Sequence, residues 1–433
     1  MAGRRSVDRR ARPPADALTV REQPTGWSTA AALALTAAAA LGLARFGYAL
    51  VLPDMREALG WSYAQSGALN TANAVGYLAG AIASPLAARR ERRAFRTALL
   101  VIPIGLACSA ATGALPALLA LRVIVGAAGA VAFVLGAARV AQLARPRPDA
   151  APLLLGLYTG GAGVGIALSA VTVTPALAGG ADWRVGWLIL AALAAGCCAI
   201  ALNAGGVPGA ADAPSTASTG LRALVPALLA YALFGAGYIA YMTFVVALLG
   251  DQGASAGATA AFWCLLGASA AASALAWRSR LGRTRAGHEL TPVLAVAAVG
   301  AALPALADAG GSLAASAILF GGSFMAVVTA IALLIQRVVE PARRTAALAG
   351  ATVAFAVGQC AGPIASGLTS DGAGLRAGLA VSAGLLVMAW TISMAQGARL
   401  QEVGAPIDAP EHREVLHHDR ARTGNDGNPR ASR

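Results

Sequence analysis

Residues 84–93 read SPLAARRERR, and residues 275–284 read LAWRSRLGRT. Set 191 positions apart, the two stretches pair Arg89 with Arg280 and Arg92 with Arg283. The same offset pairs Asp149 with Glu340, and an offset of 192 pairs Arg184 with Arg376. Both stretches lie in gaps between long apolar runs, and both gaps belong to one alternating set. That set also holds Arg93, Arg96, Arg145, Arg147, Arg222, Arg278, Arg285, Arg343 and Arg344, whereas the gaps between hold only Arg56, Arg184 and Arg376. Short arginine-rich loops stay on the cytoplasmic side of a membrane. The alternation therefore reads as a chain that crosses a bilayer many times.

Composition agrees. Hydrophobic residues make up 57% of the 433-residue chain and charged residues only 12%, against about 25% charged in soluble domains. Buried strands of a soluble core run about 4–8 residues, far shorter than these apolar runs, many of which exceed the roughly 20 residues that cross a bilayer as a helix. The formal charge of +13 sits in the tails and one-sided loops, so it points to topology and not to nucleic acid. The spans read as 27–52, 62–87, 97–115, 117–143, 152–178, 183–203, 222–250, 257–279, 289–307, 312–337, 346–370 and 374–398. This predicts an all-α polytopic membrane protein of twelve transmembrane helices, in two six-helix halves of parallel orientation (27–203 and 222–398). A Gly/Ala/Pro/Ser-rich linker covers 204–221. The basic tail 1–26, with six arginines, and a charged, disordered tail 399–433 are both expected to face the cytoplasm, as in a multi-pass protein of the inner (cytoplasmic) membrane. A lipid bilayer, a small-molecule substrate and protons are its expected partners, and a monomer its expected state.

The five cysteines all lie in apolar spans and the four histidines form no ligand set, so no metal or cofactor is expected. The chain contains no lysine, which excludes a Walker-type phosphate loop and a self-contained ATP-driven pump. No His/Asp pair or nucleotide loop suggests an enzyme.

Two parallel six-helix repeats with these loops resemble the major facilitator superfamily. Its first loop pattern, Gly-x-Leu-Ala-Asp-Arg-x-Gly-Arg-Arg, keeps its basic end here as Arg89, Arg92 and Arg93 but loses the Asp and both Gly. Arg122 and Gly126 match the family's Arg-x-x-x-Gly in the fourth span. Gly358-Gln-Cys-Ala-Gly362-Pro363 looks like the bend motif that antiporters carry in the fifth. The stretch 44–81 (ARFGYALVLPDMREALGWSYAQSGALNTANAVGYLAGA) is similar to the YbfB/YjiJ-type branch of bacterial transporters. The resemblance implies a proton-linked or facilitated carrier of a small molecule, working by alternating access.

Ionisable groups inside a span are costly and mark function by default. The spans hold Arg45 and Arg122, without an obvious acid beside them, while Asp54, Glu57, Asp251, Asp308 and Asp371 fall near span ends. Arg45 reads as several residues inside the outer end of the first span. Two unpaired cations favour an organic anion as substrate. The plainer alternatives are that Arg45 snorkels to the interface and that Arg122 is a structural hydrogen-bond hub. In the second span Ser66, Asn70, Asn73, Tyr77, Gly80 and Ser84 share one helical face. In the eleventh, Thr352, Phe355, Gln359, Gly362, Ser366 and Thr369 do so. The two stripes are expected to meet across the halves and line the path, together with Tyr158, Tyr238 and Tyr241, although interhelical hydrogen bonding and packing explain such residues equally well. Gly160, Gly161 and Gly165, with Gly358, Gly362 and Pro363, serve either close packing or bending as the halves rock. Proton-driven efflux of amphipathic compounds, and a non-transporting sensor or scaffold, are the competing functions.

Overall fold

The computed structural model describes residues 26–146, 150–204, 224–306, 310–340 and 343–402, and every element among them is a helix. Twelve helices run the length of a bundle. In order they are α1 (Gly26–Leu59), α2 (Tyr63–Ala87), α3 (Glu91–Ala110), α4 (Leu115–Ala144), α5 (Ala151–Ala178) and α6 (Trp183–Asn203). Then follow α7 (Val225–Asp251), α8 (Ala256–Arg283), α9 (Leu290–Leu306), α10 (Gly310–Val338), α11 (Arg344–Ala373) and α12 (Leu375–Glu402). A single 3-10 turn, Ala88–Arg90, separates α2 from α3. The expected tails and the linker 204–221 lie outside the described residues, apart from Gly26, Ala204 and residues 399–402. So does Asp308.

Three of the tight turns share one sequence device. Gly60, Gly180 and Gly253 each take positive φ (64°, 87° and 74°) just past a helix end. A left-handed residue there closes the last turn, and glycine adopts it without Cβ strain. Two residues later Ser62, Asp182 or Ser255 accepts a backbone N–H of the next helix from its side chain. Gly-x-Ser/Asp thus ends one span and starts the next within three residues.

The helices are rich in alanine and glycine because no water-driven collapse pulls spans together in lipid, so backbones must approach closely. A Cβ on Gly76 or Gly80 of α2 would run into the carbonyls of Val123 or Ala127 in α4, and one on Gly126 would meet Asn73 O in return. Likewise Gly358 and Gly362 of α11 lie against Ala232 O and Ala236 O of α7. In α5, Gly161 and Gly165 abut Ala34 and Ala38 of α1, while Gly160 and Gly163 abut Ala271 and Gly267 of α8. These positions are filled by neighbouring backbone. Pro363 lies within α11 and its carbonyl meets Gly67.

That packing divides the expected stripes. Asn73 of the α2 stripe turns toward α4 of its own half, donating to Arg122 O at 3.3 Å, while Asn70 reaches Thr243 of α7. The α11 stripe turns toward α7 and α12, where Ser366 donates to Gly378 O at 2.8 Å. What joins α2 to α11 is a third set. Thr71 donates to Cys360 O at 2.8 Å, Gly67 abuts Pro363, and Gly367 abuts Tyr63 and Ala64. At the end of the bundle away from the arginines, the Asp371 carboxylate accepts from the N–H groups of Tyr63 (2.7 Å) and Ala64 (3.0 Å). A carboxylate at a helix N-terminus satisfies orphan donors and complements the dipole. The halves also meet along α5–α8 and where the far part of α1 touches α7.

The arginine-rich end carries two ion pairs that the sequence reading did not separate from the loops. Arg139 in α4 holds Glu91 at 2.6 Å and stacks over Phe95, 3.8 Å from its centroid. Arg337 in α10 holds Glu289 at 3.2 Å and donates to Leu281 O and Gly282 O in the last turn of α8 and to Thr284 O just past it. Arg139 to Arg337 and Glu91 to Glu289 are the same 198-residue step, so each half is tied by an equivalent pair. Glu289 lies just before α9 and is fully buried. Burial raises its carboxyl above the ordinary value, with Arg337 and the Gly287 N–H opposing. The expectation of two intramembrane cations and no acid therefore needs amending: Arg139 and Arg337 also fall within the expected spans, each with an acid. By contrast Arg89, Arg92, Arg93, Arg280 and Arg283 are exposed, the last two in the final turn of α8.

Candidate substrate site in the bundle interior

The first helix is not regular. Between Gly26–Ala37 and Tyr48–Leu59 it opens into a π segment, Ala38–Phe46, closed by a Gly47 N–H to Gly42 O hydrogen bond of 2.9 Å. Such segments are rare and gather at functional sites. Here Gly42 permits it, since a Cβ would strike the backbone of Ala162 and Gly165 in α5. The segment aims Arg45 into the interior. Because α1 continues to Leu59, Arg45 stands 14 residues from that end, about 21 Å along the axis. It is mid-span and not near the end, as the shorter span 27–52 implied. Its side chain is 2% exposed, which also removes the snorkelling alternative.

Arg45 Nη2 donates to Gln359 Oε1 at 2.7 Å, and Gln359 Nε2 donates to Tyr238 Oη at 2.8 Å. The Arg45 guanidinium carbon lies 5.4 Å from the Tyr77 ring centroid. Arg122 forms a second centre. It donates to Ala44 O, at the end of the π segment, at 2.5 Å and to Asn70 Oδ1 at 3.1 Å. Asn70 Nδ2 in turn donates to Thr243 Oγ1 of α7 at 2.8 Å. The rings of Tyr48 and Trp187 lie 5.4 and 5.7 Å from the Arg122 guanidinium. Both networks cross from the first half to the second.

The partners of these guanidiniums are carbonyls, an amide and aromatic faces. The ion pairs among the described residues lie elsewhere, and the Nε of both arginines is buried without a hydrogen bond. Two desolvated cations thus rest on neutral acceptors, an arrangement that costs free energy unless an anion joins it. The two sites differ in kind. Arg122 is fully enclosed and braces the π segment. Arg45 has one protein acceptor and lies beside the partly exposed Tyr77.

Of the sequence candidates, Arg45, Asn70, Asn73, Tyr77, Arg122, Tyr238 and Gln359 come together. Tyr158 and Tyr241 do not. The Tyr158 hydroxyl donates to Phe133 O at 2.7 Å inside the first half, and Tyr241 pairs with Ser316 Oγ at 2.6 Å inside the second. Sequence reasoning placed Phe355 in the α11 stripe but missed Thr243 and the other phenylalanines beside Tyr238, Phe234 and Phe324. From Tyr238, ring contacts of 5.1 to 6.1 Å reach Phe234, Phe355 and Phe324. Others extend to Tyr231, Phe46, Phe320 and Tyr241. The ladder holds five of the chain's nine Phe and three of its seven Tyr. In a chain that is 5% aromatic that concentration was the available signal. Among the described residues no three His, Cys, Asp or Glu side chains group as a metal site would require.

No curated protein sequence matches the chain. Among solved structures, it is similar to a mutant of the nucleoside transporter NupG, with a TM-score of 0.69 and 16% identity over 86% of this chain and 99% of that one. It is also similar to a bacterial homologue of the human lysosomal transporter Spinster, inward-facing and unoccupied, with a TM-score of 0.65 and 15% identity over 88% and 98%. The human organic anion transporter MFSD10 follows at a TM-score of 0.55 and 16% identity over 85% and 98%. At these identities the likeness establishes the fold, the twelve-helix transporter bundle. Residues 37–394 match the family model described as "Uncharacterised MFS-type transporter YbfB", and the chain belongs to that family of multi-pass membrane transporters.

Proposed function

We propose that the protein is a secondary transporter that carries an organic anion across the bacterial inner membrane by alternating access, with Arg45 as the anion's anchor. One observation carries this reading: a mid-membrane guanidinium from the first half held only by a neutral amide of the second. A carboxylate would replace Gln359 as acceptor, take two parallel N–H groups and neutralise the charge. Because Arg45 and Gln359 belong to opposite halves, that exchange changes the contact between them, which is what coupling a substrate to rocking halves requires. Arg122 and Asn70 hold the π segment so that Arg45 points inward. The arginine-rich end is cytoplasmic on this reading, as the loop charges demand. The protein acts as a carrier and not as an enzyme.

Proton-driven efflux of amphipathic cations is disfavoured, because it calls for a carboxylate in the site and the described network has none. In proteoliposomes, Arg45→Ala is expected to lower organic-anion counterflow at least tenfold while Arg45→Lys retains part of it. Unchanged counterflow in Arg45→Ala would overturn the reading. With no carboxylate among the described partners of Arg45 and Arg122, anion-for-anion exchange is expected to run equally with and without an imposed pH gradient. A strict requirement for the gradient would point instead to proton coupling.

A further inference from the structure

Resting on the organic-anion reading above, we propose that the site extends from Arg45 toward the arginine-rich end, where the Tyr77 and Tyr231 hydroxyls receive a second, uncharged polar group of the substrate. The other interior tyrosines are committed to the protein. Tyr48, Tyr158, Tyr238 and Tyr241 each hold a hydrogen bond through the hydroxyl. Tyr77 and Tyr231 have no hydrogen-bond partner among the described residues. Tyr231 is only 4% exposed, and an enclosed hydroxyl left unpaired costs free energy. Neither oxygen is sealed off, in contrast to the unpaired Nε of Arg45 and Arg122, so a bound molecule can reach both.

Position along the helices sets the spacing. Tyr231 and Tyr238 lie seven residues apart on one face of α7, about 10 Å along its axis. Both rings stack on Phe355, at 4.7 and 5.4 Å and within 14° and 11° of parallel, so Phe355 lies between them. The Tyr238 hydroxyl marks the Gln359–Arg45 end of this stack. Tyr231 marks the other end, six residues into α7 from the arginine-rich side. Tyr77 belongs to the opposite half. Its ring lies 5.4 Å from the Arg45 guanidinium carbon, and its hydroxyl is within electrostatic reach of those of Tyr231 and Tyr238. A tyrosine hydroxyl both donates and accepts, so it suits a hydroxyl, carbonyl or amide and supplies no counter-charge. Allowing about 3 Å for the hydrogen bond itself, the substrate's second polar group belongs roughly 7 Å from its carboxylate. A short acid such as acetate would reach Arg45 alone.

The test uses the full chain in detergent, with binding read by titration calorimetry and corrected for protein-free micelles. The probes are 6-hydroxyhexanoate and hexanoate, which differ by the terminal hydroxyl alone. We expect the hydroxy acid to bind roughly three- to tenfold tighter, the range of one net hydrogen bond. Apolarity alone predicts the reverse order. Tyr231→Phe, and to a lesser degree Tyr77→Phe, should bring the ratio toward one while hexanoate affinity and the thermal midpoint of the free protein stay unchanged. A lowered midpoint in Tyr231→Phe would show a hydroxyl that braces the fold and would overturn its assignment to the substrate. Equal or reversed affinities in the unmodified protein overturn the second contact, and binding of both acids that is lost in Arg45→Ala leaves the organic-anion reading standing. Binding of neither acid overturns both.

Discussion

At the scale of single residues, the informative positions are those where charge is buried without a counter-charge. Arg45 and Arg122 were legible in the sequence because each stands well inside an apolar run. Their partners were not, since Gln359 lies 314 positions from Arg45 and only the crossing of helices joins them. Arg122→Leu should remove the brace on Ala44 and Asn70. We expect a loss of about 2–4 kcal/mol in stability, because the neutral acceptors are left unsatisfied, read as a lower thermal midpoint in detergent. Asn70→Ala should cost less, about 1–2 kcal/mol. At the rim, Arg337→Gln tests the buried Glu289. Its folded-state carboxyl lies above the ordinary value through burial, so protonation favours the fold as pH falls through the folded value. Above that value the wild type holds a charged pair and the variant a buried lone carboxylate. The penalty, roughly 1–3 kcal/mol, should therefore be present above the folded-state value and shrink as pH falls through it toward the ordinary carboxylate range. A deficit independent of pH would show that the carbonyl contacts of Arg337, and not Glu289, set its contribution.

At the scale of helices, periodicity told which residues share a face but not which neighbour that face meets. The α2 stripe was correct as a face but its residues divide between two neighbours. Gly76, Gly80 and Asn73 meet α4, where Gly126 admits the α2 backbone closely, while Asn70 reaches Thr243 of the second half. The seam with α11 falls to Gly67 and Thr71, residues too small or too common to stand out. The helix starts that follow each Gly-x-Ser/Asp were legible. The end of α1 was not, since the helix runs through Pro53 to Leu59, seven residues beyond the expected 52. Gly358→Val should be the most damaging of the glycine changes, since its Cβ would enter Ala232 O, a backbone atom that cannot step aside. We expect overpacking of about 1–3 kcal/mol or more and weaker docking of α11 on α7, read as loss of monodisperse protein on extraction.

At the scale of the whole molecule, the twelve spans, the parallel repeat and the family were all legible, because arginine placement and apolar length are set by the bilayer alone. The equivalent ion pairs at a 198-residue step extend that repeat from loops into packing. The halves themselves meet through few polar contacts, and Asp371 supplies two of them at one end. Asp371→Asn should loosen that end. A cysteine placed at Ala64 should then label with a bulky maleimide about five- to tenfold faster than in the unmodified background, a factor of roughly one weakened charge-assisted hydrogen bond. Equal labelling would show that the glycine contacts below it keep the end shut unaided.

The π segment gives the run from Ala37 to Ala44 a meaning that its letters conceal. A stretch such as AAAALGLA looks like filler in which any alanine can be exchanged or lost. A π turn, however, carries more residues than an α turn of the same height, so the number of residues there is itself the message. Removing one alanine would restore an ordinary helix and swing everything before it by about 100° relative to Arg45. Ala34, which packs on Gly161 of α5, and Arg45, which reaches α11, could then no longer face those helices together. Apart from Gly42, substitution in this run should cost less than deletion, so what is stored there is a count as much as a spelling.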